Sequence, residues 1–138
     1  MKTKVCIWLS LASALMWFIF PGFSQAKTFT VNSFLDEVDA NIGDCECLTA
    51  SQTCTLRAAI QEANACLGDD IINLPPGTYT LTIPGRDEDL CLTGDLDITG
   101  NLSINGTNPM DTIIDGNQLD RVFHITPFPE DFQQKPYI

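Results

Sequence analysis

Oxygen-bearing side chains crowd one short stretch of this chain. From Asp36 to Cys47 the sequence reads DEVDANIGDCEC, bringing Asp36, Glu37, Asp39, Asn41, Asp44 and Glu46 close together. Carboxylate and amide oxygens are the ligands that Ca²⁺ takes, so Asp36, Asp39, Asn41 and Asp44 are the metal-ligand candidates. The stretch departs from the EF-hand pattern, because Asp39-Ala-Asn41-Ile-Gly43-Asp44 breaks off after two ligand positions. A solvated acidic loop explains it more simply.

The other candidates are few. Asp115, Asp120 and Arg121 lie close in sequence, and glycan-cleaving sites use two carboxylates facing each other across a groove. Asp115-Gly116-Asn117, however, reads as a turn, and Asp120-Arg121 as a surface pair. His124 is the single histidine; it stands between Phe123 and Ile125 in a strand-like run, with no Ser or Cys nucleophile pattern beside it. It reads as an outward-facing structural histidine. Catalysis is therefore not expected, nor any cofactor beyond Ca²⁺ in the acidic loop. Asn101-Leu-Ser103 and Asn105-Gly-Thr107 match the glycosylation sequon, a frequency that chance supplies in an Asn/Thr-rich chain.

Export is legible in the first residues. Lys2 and Lys4 precede an uncharged apolar run from Val5 to Phe20, then Pro21-Gly22 and the small residues around Ala26. This is the layout of a cleavable signal peptide over 1–26. The run is shorter than the ~20 residues of a spanning helix, so no membrane segment is expected after cleavage. The remaining 112 residues suit one domain and carry all 18 acids against Lys27, Arg57, Arg86, Arg121 and Lys135. Such a surface repels nucleic acid, which needs clustered Lys and Arg. Five cysteines follow the leader: Cys45, Cys47, Cys54, Cys66 and Cys91. They allow two disulfides and one leftover thiol, and suit an oxidising compartment. A single histidine and the tight Cys45-x-Cys47 spacing do not make a zinc motif.

These groups must be positioned by strands and one helix. Thr28 to Val31 alternates as a half-buried strand does. Thr55 is a natural N-cap for a helix over 55–67, with Leu56, Ile60, Ala63 and Leu67 on one apolar face and Gly68 as the stop. "IINLPPGTYTLTIPG" holds two short strands around Pro75-Pro76-Gly77. An aliphatic-x-Gly phrase then recurs as Ile83-Pro84-Gly85, Leu92-Thr93-Gly94, Ile98-Thr99-Gly100, Ile104-Asn105-Gly106 and Ile114-Asp115-Gly116. Ile83, Ile104 and Ile125 stand 21 residues apart, Gly94 and Gly116 stand 22 apart, and Leu74 and Ile98 stand 24 apart. That period predicts a mainly β fold: the N-terminal portion of a parallel β-helix, a solenoid with about two coils over 71–125. Residues 27–70 supply the first strand, the acidic loop and a helix that caps the open apolar end. After the last phrase, 126–138 reads as an irregular tail with three prolines, as though the frame were cut short.

The stretch "CTLRAAIQEANA" resembles the signature of the CSLREA-domain family, exported and mostly bacterial proteins with a right-handed parallel β-helix related to pectate lyases. "DIINLPPGTYTLTIPG" and "TGDLDITGNLSINGT" followed by "TIIDGN" resemble the family as well, so the likeness runs from about Thr28 to Ile125. Thr55 and Ala58 stand where the family name has Ser and Glu, which removes the Ser-x-x-Glu capping box. Cys66 and Cys91 are additional to the cysteine before the helix and its partner in the acidic loop. The resemblance thus implies Cys54 paired with Cys45 or Cys47, and Cys66 with Cys91. It also implies a secreted or cell-surface, non-enzymatic role in adhesion or glycan contact, with association through the open end of the β-helix. The rival readings are the first part of a polysaccharide-degrading enzyme whose catalytic coils lie beyond residue 138, and a small self-contained disulfide module.

Overall fold

A computed structural model describes residues 25–126. The leader expected at 1–26 and the tail at 126–138 lie outside the described residues, apart from Gln25, Ala26 and Thr126. The elements run β1 (Thr28–Thr30), α1 (Leu56–Ala65), β2 (Asp70–Leu74), β3 (Gly77–Thr80), β4 (Leu96–Ile98), β5 (Leu102–Gly106), β6 (Thr112–Asp115) and β7 (Phe123–Ile125).

All strand pairs are parallel, in one sheet ordered β1-β2-β5 and two two-stranded ladders, β3-β6 and β4-β7. Side chains alternate across each strand, so Phe29, Ile72 and Ile104 stack in register toward the core. Thr30, Asn73 and Asn105 stack in register on the outer face. Helix α1 packs on β2 and β4. Leu56, Ala59, Ile60 and Ala63 join Ile72, Leu74, Tyr79 and Leu96 in one apolar cluster, where full burial of a large aliphatic side chain is worth about 1.5–3 kcal/mol.

The β-helix expectation is corrected. The ladders are only two or three strands wide, close no solenoid, and do not share the expected period. Pairing joins Phe29 to Ile72, Ile72 to Ile104, Tyr79 to Ile114 and Leu96 to Phe123, separations of 43, 32, 35 and 27 residues. The architecture is a small α/β unit. Ile83, Ile104 and Ile125 do not stack: Ile104 lies on Ile72 and Ile125 on Ile98, while Ile83 belongs to no strand.

The misleading residues lie between β3 and β4, where two of the five aliphatic-x-Gly phrases form no strand. Carboxylates take up much of this segment's backbone. The N–H groups of Thr82 and Ile83 donate to Asp36, and those of Leu90, Leu92 and Thr93 donate to Glu88. Gly94 turns the chain at φ +63°, and a Cβ there would stand 2.5 Å from the Gly85 carbonyl oxygen. With the solenoid goes the premise for association through its open end. Among the described residues, the outer edges of β5, β6 and β7 have no ladder partner.

The helix is shorter than 55–67. Thr55 is its N-cap, accepting the Ala58 N–H at 3.2 Å, and Cys66 already has extended backbone. Leu67 therefore leaves the apolar face and is 77% exposed. The polar side of α1 is no solvent face either, since Arg57, Gln61 and Glu62 are buried with their apolar neighbours. Instead of a lid with one wet side, α1 is a rod enclosed by loops.

Candidate functional site

Each polar side chain of α1 and its cap engages backbone of a neighbouring loop or of β4. Thr55 Oγ1 donates to the Glu37 carbonyl at 2.6 Å. Gln61 accepts the Asp39 N–H at 2.7 Å and donates to the Cys91 carbonyl at 2.9 Å. Asn64 donates to the Asp97 carbonyl at 2.7 Å and accepts the Thr99 N–H at 3.0 Å. Glu62 accepts the N–H groups of Gly43 at 2.8 Å and Cys45 at 2.6 Å. Burial pushes the Glu62 carboxyl up despite those two bonds.

Arg57 is the centre of this frame. Its side chain is fully buried, and Nε and Nη2 clamp the two oxygens of Asp36 at 2.6 and 3.2 Å. Nη1 donates to the carbonyls of Cys91 and Asp95, and Nη2 also donates to Gly94. All five guanidinium donors are thus used. Burial works to raise the Asp36 carboxyl. The Arg57 contact and the Thr82 and Ile83 N–H groups outweigh it and hold the carboxyl below its usual range.

The structure divides the expected Ca²⁺ ligands. Asp36 belongs to Arg57. Asp39 accepts the N–H groups of Asn41 and Leu48, each at 2.8 Å, while Asn41 donates to Asp44 and Asp44 accepts the Glu46 N–H. Asp39 and Asp44 converge with Glu62, a residue the sequence reading assigned only to the helix signature. The loop's oxygens are largely engaged in shaping its own turns.

Cys47 pairs with Cys54, one of the two expected alternatives, and Cys45 pairs with Cys66. The expected Cys66–Cys91 bridge is thereby corrected. Cys66 ends α1 facing the acidic loop, while Cys91 lies across the helix, where its thiol is buried and pushed up to about 12.

A second polar cluster forms at the β4-β7 ladder. Asp97 and His124 are direct ladder partners. His124 Nδ1 lies 3.0 Å from Asp97 Oδ1 and 3.4 Å from Asp89 Oδ1. Asp97 is fully buried and its Oδ2 accepts the Cys91 N–H at 3.0 Å. Burial raises its carboxyl, against the Cys91 and His124 contacts that lower it. Beside it, Arg121 Nε pairs with the buried Asp95 instead of standing as a surface pair with Asp120. Asp115 accepts the Asn117 N–H at 2.8 Å in the expected turn. His124 is 29% exposed and tied to a buried carboxylate, so it is not simply outward-facing. Neither Asp97 nor Asp89 was singled out from sequence, because 27 and 35 residues separate them from His124; the parallel register brings Asp97 to it and the loop before β4 brings Asp89.

A third feature is a shallow groove of about 360 Å³ on the outer face of β1-β2-β5, lined by Thr30, Asn73, Leu74, Pro75, Pro76, Asn105, Gly106 and Thr107. None of these residues is charged. Thr107 Oγ1 donates to the Leu74 carbonyl. Among the described residues, the side chains of Thr30, Asn73 and Asn105 have no protein hydrogen-bond partner.

No protein-family model, curated protein or solved structure matches the chain. Among the described residues, no helix is long and apolar enough to cross a membrane.

Proposed function

We propose that this chain is an exported, non-enzymatic contact protein that holds a neutral glycan against the outer face of β1-β2-β5. The observation that carries the reading is the in-register row Thr30, Asn73 and Asn105 beside Pro75 and Pro76. Adjacent strands stand about 4.8 Å apart, so neighbouring hydroxyl and amide groups reach the hydroxyls of one sugar ring. The two prolines offer an apolar surface to the ring's C–H face. An uncharged groove in a chain of formal charge −11 favours a neutral glycan over an acidic one.

Two features support the rest of the reading. Disulfides persist in oxidising compartments, and this chain has two, Cys45–Cys66 and Cys47–Cys54. The groove lining contains no carboxylate, whereas glycoside hydrolysis ordinarily uses a pair of them across the bond. That favours contact over the polysaccharide-degrading alternative. Screening the full chain against neutral and acidic oligosaccharides tests this. The reading expects neutral ligands to bind without being cleaved, and Asn73→Ala with Asn105→Ala to abolish binding while the melting temperature holds. Selective binding of acidic glycans, release of sugar, or binding indifferent to both substitutions would overturn it.

A further inference from the structure

We propose that Asp89, Asp97 and His124 form a site for one divalent metal ion of the zinc class. The three side chains come from three segments: the loop before β4, β4 itself and β7. Their donor atoms all lie within 4.8 Å of one another. Zn²⁺ is bound by imidazole nitrogen and carboxylate oxygen at about 2.0–2.2 Å, usually in a tetrahedron, which sets neighbouring donors about 3.3–3.6 Å apart. The distances of 3.0 and 3.4 Å from His124 Nδ1 to the two carboxylate oxygens lie close to that edge length.

Proton counting points the same way. Nδ1 carries at most one proton, which makes one good hydrogen bond, yet two carboxylates face it. A shared cation satisfies both. Asp95 and Glu88 also act on Asp97 with negative charge, partly offset by Arg121. The nearby Arg121 Nε is directed to Asp95.

The supporting contacts are those a metal site needs, because outer partners orient the ligands. Parallel pairing fixes Asp97 opposite His124. The Cys91 N–H holds the second oxygen of Asp97, and the Cys91 carbonyl is in turn held by Gln61 and Arg57. Asp89 approaches from the exposed side, its side chain 72% accessible, leaving room for water as a fourth ligand. The imidazole favours a borderline ion over Ca²⁺, which takes oxygen ligands. Bound there, the ion would tie the loop before β4 to the β4-β7 ladder.

The test titrates the full chain, stripped with chelator, with Co²⁺ as a visible probe and then with Zn²⁺ by calorimetry. One equivalent per chain is expected, with the visible bands of nitrogen and oxygen ligation and no thiolate charge-transfer band. His124→Ala and Asp89→Asn should each weaken Zn²⁺ binding by at least ~10-fold. Both positions are accessible enough to keep the test open if Asp97→Asn fails to fold. Asp44→Asn, in the acidic loop, should leave the affinity unchanged. No binding at millimolar metal, binding indifferent to His124→Ala, or binding lost with Asp44→Asn would each overturn the proposal.

Discussion

The acidic loop and the β4-β7 ladder both gather carboxylates, and they treat them in opposite ways. In the loop and around α1, Asp39, Asp44 and Glu62 accept backbone N–H groups, and Asp36 lies in the grip of Arg57. These four carboxylates are matched by donors and shape the chain, whereas one buried oxygen of Glu37 has no partner among the described residues. At the ladder, Asp89 and Asp97 converge on a single imidazole nitrogen, with two further acids nearby. There two carboxylates face one ring nitrogen, while Glu88 is answered by backbone N–H groups and Asp95 by Arg121. Density of acids along the sequence therefore marks turn-making here, whereas the convergence of two carboxylates on one imidazole comes from residues far apart in the chain. A buried or crowded carboxylate is informative about ligands only after its N–H donors have been counted.

The widest gap between the two regions should appear on removing Arg57. Arg57→Ala leaves Asp36 buried beside an empty guanidinium space and strips donors from the carbonyls of Cys91, Gly94 and Asp95. Breaking one half of a buried pair costs about 3–5 kcal/mol, so urea unfolding should show a loss of that order. Arg121→Ala, which removes the half-exposed partner of Asp95, should cost much less. Equal losses would erase the distinction between a structural side and a ligand side.

A smaller effect is expected from the Cys45–Cys66 bridge, which closes a loop of sequence separation 21. Replacing both cysteines by serine should cost about 3 kcal/mol by loop-closure entropy. The bonds from Glu62 to Gly43 and Cys45 would still hold the loop to α1. The measurement is the urea midpoint together with proteolysis between residues 36 and 47. Rapid cutting of the variant there, with β4-β7 intact, would show that the bridge and not Glu62 fixes the loop.

Much of the frame was legible before the structure. Thr55 as N-cap, the strand at Thr28 and the two strands around Pro75-Pro76-Gly77 follow from local chemistry, which is what single residues report, while the Cys54 bridge to the acidic loop came from the family resemblance. The pairing of strands was not legible. Ile83-Pro84-Gly85 and Leu92-Thr93-Gly94 look like strand ends, but Asp36 and Glu88 capture the backbone there, and nothing at those positions announces a distant carboxylate. The burial of the polar side of α1 was not legible for a related reason. An Arg, Gln and Glu on a helix ordinarily face water, and here loops on both sides supply the partners that allow burial. The ladder site was hidden because Asp97 meets His124 only through a parallel register that the 21-residue spacing did not reveal.

The finest test of the comparison is pH. Asp36 and Asp97 are both buried, yet their carboxyls are displaced in opposite directions from the usual carboxylate range. A lowered group binds fewer protons folded than unfolded, so its stabilisation is full above the unfolded value of about 3.9 and is lost as pH falls through the folded value. A raised group does the reverse: its contribution is greatest below about 3.9 and declines as pH rises through its folded value. Stability measured against pH in chelator should therefore separate two variants. Asp36→Asn should remove an acid-side loss, making its curve flatter than wild type below about 3.9. Asp97→Asn should remove a decline above that value, so that its deficit shrinks or reverses toward neutral pH. Saturating Zn²⁺ should abolish the second difference, because a ligating Asp97 stays ionised when folded. Parallel curves for both variants would mean that the two carboxylates are equally well answered by their surroundings, and the contrast between loop and ladder would fall.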